Sequence, residues 1–203
     1  MKTRALFHFG LAGCTCLIAQ ASAGATIPVD AITNNSGLSA TVASQIQIDV
    51  TDAGGGLVDI TVTNNGDGST DFVIAQFYID DASTPLLSGF NTLPANWGTP
   101  GSPPNVPSGN TVGFFADLSA DADPSPVVNG IDITESATFT VSLAGGTSFG
   151  QFVDGLNSEA ARIGLHIQSI GVNEQSDSVV TTPEPGSLVL LGLGTLLAVR
   201  RRR

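Results

Sequence analysis

Short apolar runs that alternate with polar residues recur along the middle of this chain, and they constrain it more than any other feature. Successive side chains on a strand point to opposite faces, so such a run is apolar on one side and wettable on the other. Ile46, Ile48 and Val50 alternate with Gln45, Gln47 and Asp49. After Asp52-Ala53-Gly54-Gly55-Gly56, Val58, Ile60 and Val62 alternate with Asp59, Thr61 and Thr63, so the pair predicts a hairpin. Ala137, Phe139, Val141 and Leu143 alternate with Thr138, Thr140 and Ser142, and Ile163, Leu165 and Ile167 with Gly164, His166 and Gln168. Phe72 to Ile79 is a more continuous apolar run and reads as a central strand. One helix is expected: Phe149, Phe152, Val153 and Leu156 form a single stripe behind Ser148, a suitable N-cap. Leu93 to Ser108, rich in proline and glycine, reads as a long surface loop. The expected fold is mainly β, an antiparallel two-sheet sandwich, immunoglobulin-like or jelly-roll-like, with one short helix.

Charge divides the chain into three. Six of the seven Lys and Arg residues lie in the terminal segments, leaving Arg162 alone between Gly24 and Thr182. Seventeen of the eighteen acids lie in that middle stretch, so its formal charge is near sixteen negative. Such a surface repels nucleic acid and anionic lipid, and it could attract divalent cations.

The N-terminal segment starts with Lys2 and Arg4, continues mostly apolar from Ala5 to Ala19, and reaches Ala21-Ser22-Ala23. That is the layout of a secretory signal peptide over residues 1–23. Leu11-Ala12-Gly13-Cys14 also matches the shorter lipoprotein pattern, but Ala21-Ser22-Ala23 gives a more ordinary signal length, so cleavage after Ala23 is expected. The only cysteines, Cys14 and Cys16, lie inside this segment. A mature domain over 24–182 would then have no disulfide and no catalytic thiol.

The last segment, 183–203, has three parts: Pro183-Glu184-Pro185, an uncharged apolar run from Leu188 to Val199, and Arg200, Arg201, Arg202 and Arg203. The prolines keep the tripeptide extended and short of backbone donors. The leucine-rich run is a good helix former and predicts a short transmembrane helix. Its twelve residues reach about 18 Å as a helix, against about 30 Å for a hydrocarbon core. The arginines act as a membrane stop and should remain cytoplasmic. In this order the parts resemble the PEP-CTERM sorting signal of Gram-negative bacteria, over Thr182 to Arg203. Thr182 stands where many members have valine. The resemblance implies recognition and processing by an integral-membrane exosortase, a transient inner-membrane anchor, and association with exopolysaccharide and biofilm. It also implies an exported destination at the cell envelope, cell surface or outside the cell.

The middle is similar, more loosely, to ectodomains found ahead of such tails. The counterparts are Phe77-Tyr78-Ile79-Asp80-Asp81, then His166-Ile167-Gln168-Ser169-Ile170-Gly171, then Ser176-Asp177.

Little in the middle points to catalysis. His166 is the sole histidine after signal removal, and its alternation with core residues turns it outward. No second histidine offers a two-histidine metal site. Asp80 and Asp81 are adjacent, so on a strand they face opposite ways. Asn64-Asn65-Gly66-Asp67-Gly68-Ser69-Thr70-Asp71 alternates oxygen donors with glycines, which makes Asn64, Asp67 and Asp71 weak calcium candidates. The same residues suit a tight connection between strands, the favoured reading. Asp121-Ala122-Asp123 is a weaker acidic loop of the same kind. Trp97 and Phe90 could form a sugar-stacking platform, but covering one end of the core is favoured. The expectation is therefore a structural or adhesive module, not an enzyme, without cofactor. Its expected partners are the secretion machinery and exosortase during export, then exopolysaccharide or other surface proteins. The rival readings are a secreted hydrolase using His166 or a convergent pair of acids, and a calcium-dependent carbohydrate-binding module.

Overall fold

A computed structural model describes residues 24–183 except 82–83, 102–103 and 124–125. The chain forms two antiparallel sheets packed face to face. The first has five strands, β1 (Gly24–Ile27), β3 (Ile46–Gly54), β4 (Leu57–Asn64), β9 (Ser136–Leu143) and β6 (Leu87–Thr92), in that spatial order. The second has six, β2 (Val29–Ala31), β11 (Gln175–Thr181), β10 (Arg162–Ile170), β5 (Val73–Asp80), β8 (Leu118–Ala122) and β7 (Trp97–Gly98). Only Pro28 separates β1 from β2, so the chain crosses from the edge of one sheet to the edge of the other at a residue with no backbone donor. All four edge strands are short, which limits edge-to-edge pairing.

The alternating runs fold as read. Ile48 faces Val62 and Val50 faces Ile60 across the β3–β4 hairpin, with all four fully buried. Gly54, Gly55 and Gly56 turn the hairpin, all at positive φ, a conformation costly for any residue with a Cβ. Strand β5 is central, between β10 and β8, and buries side chains on both faces. The expected helix is α3 (Phe149–Asn157). Its start is a full capping box: Ser148 Oγ accepts the Gln151 N–H, and Gln151 Oε1 accepts the Ser148 N–H. Phe152 and Leu156 carry the stripe into the core. Two shorter helices, α1 (Ser39–Ser44) and α2 (Pro126–Asn129), were not expected from the sequence.

Aromatic rings tie the sheets together. Phe77 on β5 stacks on Phe139 of β9, with centroids 4.1 Å apart and planes 9° from parallel. Trp97 meets Phe139 edge-on at 4.9 Å, and Phe90 meets Phe77 at 6.2 Å. Trp97 is 9% exposed. Both Trp97 and Phe90 therefore spend their rings on covering the core.

The proline-rich stretch is more than a surface loop. It contains β7, and Val106 is fully buried with Phe114, Tyr78 and Val180 in a second apolar cluster. That cluster lies on the outer face of the six-stranded sheet. Asn105 holds the cover together: its Nδ2 donates to the Phe114 carbonyl at 2.7 Å, and its Oδ1 accepts the Ala116 N–H at 3.2 Å. Gly164 lets the cover sit close, because a Cβ there would lie 2.9 Å from Phe114 Cζ.

Candidate functional site

Two places can carry function: the exit of the chain from the sandwich, and the outer face of the six-stranded sheet. At the exit, Thr181 pairs with Val29 of β2, and its Oγ1 accepts the Ile163 N–H at 2.9 Å. The Thr182 N–H donates to the Pro28 carbonyl at 3.0 Å. Pro183 has no N–H to donate and is the last residue described. The sandwich therefore holds the chain by backbone bonds up to the residue before the Pro-Glu-Pro tripeptide. Residues 1–23, Glu184, Pro185, the apolar run and the four arginines lie outside the described residues. Among the described residues, no helix is long and apolar enough to cross a membrane.

On the outer face, His166 does point away from the core, as its alternation requires. It is half-buried among neighbouring side chains. Its Nδ1 lies 2.7 Å from Gln76 Oε1, an atom that has no proton to give, so Nδ1 carries the hydrogen and donates. Tyr78 Oη donates to the same Oε1 at 2.8 Å, and Gln76 Nε2 donates to Asp121 Oδ1 at 3.0 Å. Gln168 Nε2 lies 3.5 Å from His166 Nδ1. Burial holds the imidazole below its ordinary pKa, against the pull of Asp121 and Asp177. Burial also pushes the Tyr78 hydroxyl well above its usual range, so it remains a donor, and Asp121 adds to that push. Burial raises the Asp121 carboxyl too; the Gln76 bond and His166 work against it, and Asp123 adds to it. Among the described residues, His166 has no hydrogen bond to a serine or a carboxylate.

The loosely matched motifs prove to be braces. Asp80 accepts from Arg162 at 2.5 Å, and Arg162 donates onward to the carbonyls of Val112 (3.0 Å) and Gly113. The guanidinium also lies 5.4 Å from the Phe114 ring centroid. The only basic residue of the domain thus ties the cover to the sheet. Asp81 accepts the Leu86 and Leu87 N–H groups at 3.0 and 2.8 Å. Burial raises its carboxyl against those two bonds, and Asp117 and Asp80 raise it further. Asp177 is 1% exposed and gathers the turn before α1: Thr33 Oγ1 donates at 2.9 Å, the Asn35 N–H at 2.7 Å, and the Ser36 N–H and hydroxyl also donate. Burial pushes the Asp177 carboxyl up, but the bonds from Ser36, Asn35 and Thr33 outweigh it and hold it below its ordinary value.

The Asn64–Asp71 stretch joins β4 of one sheet to β5 of the other, so it is a crossing between sheets and not a hairpin turn. Asn64 is fully buried. Its Nδ2 donates to the carbonyls of Phe72 (3.1 Å) and Ile131 (3.3 Å), and its Oδ1 accepts the Gly66 N–H at 3.0 Å. Asp67 is exposed and accepts from the Ser69 N–H and from Gln45. The Ser69 bonds hold its carboxyl below the ordinary value. The Asp71 carbonyl accepts the Gly171 N–H at 2.9 Å. Among the described residues, no group of three or more His, Cys, Asp or Glu side chains is placed to hold a metal ion.

Gln76 and Gln168 are the residues that sequence reasoning missed. The available signal was a glutamine inside an otherwise apolar central strand.

In a comparison with protein-family models, residues 181–203 match the PEP-CTERM protein-sorting motif. Neither the curated proteins nor the solved structures give a match. The match begins at Thr181, one residue before the last backbone bond of the sandwich. The motif marks the chain as an exported substrate of an exosortase-type sorting system, directed to the cell envelope.

Proposed function

We propose that the protein is a structural or adhesive module of the cell surface or extracellular matrix of a Gram-negative bacterium. It would be anchored only briefly in the inner membrane and would work in association with exopolysaccharide. The observation that supports this most is the junction: the sandwich's last backbone hydrogen bond, from Thr182 to Pro28, abuts the matched sorting motif. An exosortase would thus meet Pro183-Glu184-Pro185 beside a folded body. A non-catalytic role is favoured by the surroundings of His166. A serine hydrolase working through this imidazole would need it bonded to a carboxylate and aimed at a serine, whereas its Nδ1 donates to Gln76 Oε1.

Intact mass of the protein recovered from a host with an exosortase tests the reading. The expected mature form starts at Gly24 and has lost Arg200 to Arg203. Retention of the arginines, or a lipid-modified Cys14 at the start, would overturn it.

A further inference from the structure

Gly98, Asp121, Gln76, His166 and Ser178 are register neighbours on five consecutive strands, so they form one row across the six-stranded sheet. The row is held in order by its own bonds. Gln76 gives its Oε1 to Tyr78 and His166 and one N–H to Asp121, which fixes the amide and the imidazole tautomer together. What remains points outward: the His166 Nε2 lone pair and Asp121 Oδ2, neither with a hydrogen-bond partner among the described residues, and the carbonyl of Gln168. At one end the row runs into a groove of about 290 Å³ lined by Gln76, Thr99, Pro100, Asp121 and Asp123.

We propose that this row and groove form a binding subsite for a neutral saccharide. The site gives the adhesive reading its ligand class, and in that respect rests on it. The chemistry selects among ligands. Anionic ligands meet Asp121 and Asp123 with no cation to offset them, since Arg162 is committed to Asp80 and the cover. Apolar ligands find only Gly98, Pro100 and Ala122 between the polar groups of the groove. Sugar hydroxyls both donate and accept, and the free groups of the row are mostly acceptors that want donors. The groove is at the small end of ligand pockets, which run from about 300 Å³ upward, and so suits a short stretch of sugar rings. Groups held by neighbouring strands need little ordering when a ligand arrives, which favours a weakly polar, preorganised site.

The purified mature protein should be titrated with neutral gluco-, galacto- and manno-oligosaccharides of four to six residues. Oligogalacturonate and spermidine serve as charged comparators. The readout is the NMR shift of the Gln76 and Gln168 side-chain amides and the His166 ring. At least one neutral oligosaccharide should shift these signals saturably. Asp121→Asn, which keeps the shape, should weaken it by about tenfold, as expected for losing a hydrogen bond to a charged group. Gln168→Ala provides a second variant outside the bond chain that orders the row, and it should weaken binding as well. The proposal fails if no neutral oligosaccharide shifts these groups, if the shifts fall elsewhere, or if only the charged comparators bind. Processing and binding fail separately: a correctly trimmed protein without binding sinks this site alone, and a binding protein that retains its arginines sinks the sorting reading alone.

Discussion

The two sheets of the sandwich treat their outer faces in opposite ways. The five-stranded sheet leaves its outer face uncovered by the described residues. Polar side chains there bond one another: Thr61 to Thr138 at 2.9 Å, Thr140 to Asp59 at 2.7 Å and Thr26 to Asp49 at 2.5 Å across strands, and Gln47 to Asp49 at 2.7 Å along β3. The six-stranded sheet puts a cover over part of its outer face and brings its chemistry under or beside that cover. Arg162, His166 and Tyr78 all sit there, and Tyr78, His166 and Asp121 have shifted pKa values caused first by burial. The same polar residue types are therefore solvated spacers on one sheet and oriented groups on the other. Covering a sheet face is what turns a strand position into a candidate site.

If the cover is what separates the two faces, removing it should have the largest effect. Phe114 is fully buried against Gly164, Tyr78 and Val180. Phe114→Ala should destabilise by about 4 kcal/mol, the usual range for emptying a buried aromatic site. Urea unfolding would measure it, and a loss under about 1 kcal/mol would mean the loop rides on the sheet without bracing it. Next comes the ionic tie. Arg162→Met leaves Asp80 largely buried without its cation, with only the Phe115 N–H at 3.2 Å still donating to it; side-chain exposure is 13% in both partners of the pair. A loss of about 3 kcal/mol is expected from breaking such a pair, with part of it recovered by adding Asp80→Asn. Equal losses in the single and double variants would show that the bonds to Val112 and Gly113, not the ion pair, hold the cover.

This asymmetry also explains how far the sequence could be read. Strands of the bare sheet have one face in the core and one in water, so β3, β4 and β9 show clean alternation. Strand β5, buried on both faces, still reads as a strand because its run is apolar throughout. Strand β11 does not: Gln175-Ser176-Asp177-Ser178 looks like a loop, yet Asp177 and Ser178 are buried, the turn at Thr33 to Ser36 donating to the Asp177 carboxylate and Thr33 Oγ1 accepting the Ser178 N–H. Strand β8 faces the core with Ala120 and Ala122, too small to announce a strand. The prolines near Val106 signalled a surface loop, while Val106 and Phe114, eight residues apart, are its anchors. The site was less legible than the fold. The outward turn of His166 followed from alternation, but Gln76 is 90 residues away from it, and Asp121 another 45 from Gln76. Only strand order and register bring them into one row.

Asp177 sharpens the comparison through pH. Its carboxyl is held below its ordinary value, so the stability it contributes is present above the unfolded-state pKa of about 3.9 and is lost as pH falls through the folded value. Asp177→Asn keeps the shape but loses the charge, and should cost about 2 kcal/mol at pH 6. The gap between the two proteins should narrow as pH falls from about 3.9 toward the lower folded value. A gap that stays constant down to pH 3 would mean that shape and not charge holds the turn. His166 contributes in the same direction at higher pH. Its folded pKa is depressed, so its contribution is lost as pH falls below about 6.5 toward the folded value. The two steps are separable because Asp177→Asn should leave the upper one in place.

The smallest effect is expected on the bare face, and it is the sharpest control for the whole contrast. Thr61 and Thr138 are direct register partners on β4 and β9, and their hydroxyls lie 2.9 Å apart in solvent. Replacing each with valine keeps the β-branch and removes only the hydroxyl. Water competes for both hydroxyls in the folded and unfolded chain, so little is gained by pairing them. A double-mutant cycle should therefore give a coupling of about 0.5 kcal/mol, within the usual range for cross-strand pairs. The cycle is clean because neither hydroxyl has another partner among the described residues. If the coupling instead approached the loss expected for Arg162→Met, the bare face would be as strongly braced as the covered one. Burial could then no longer be the reason that the chemistry of this domain gathers on one sheet.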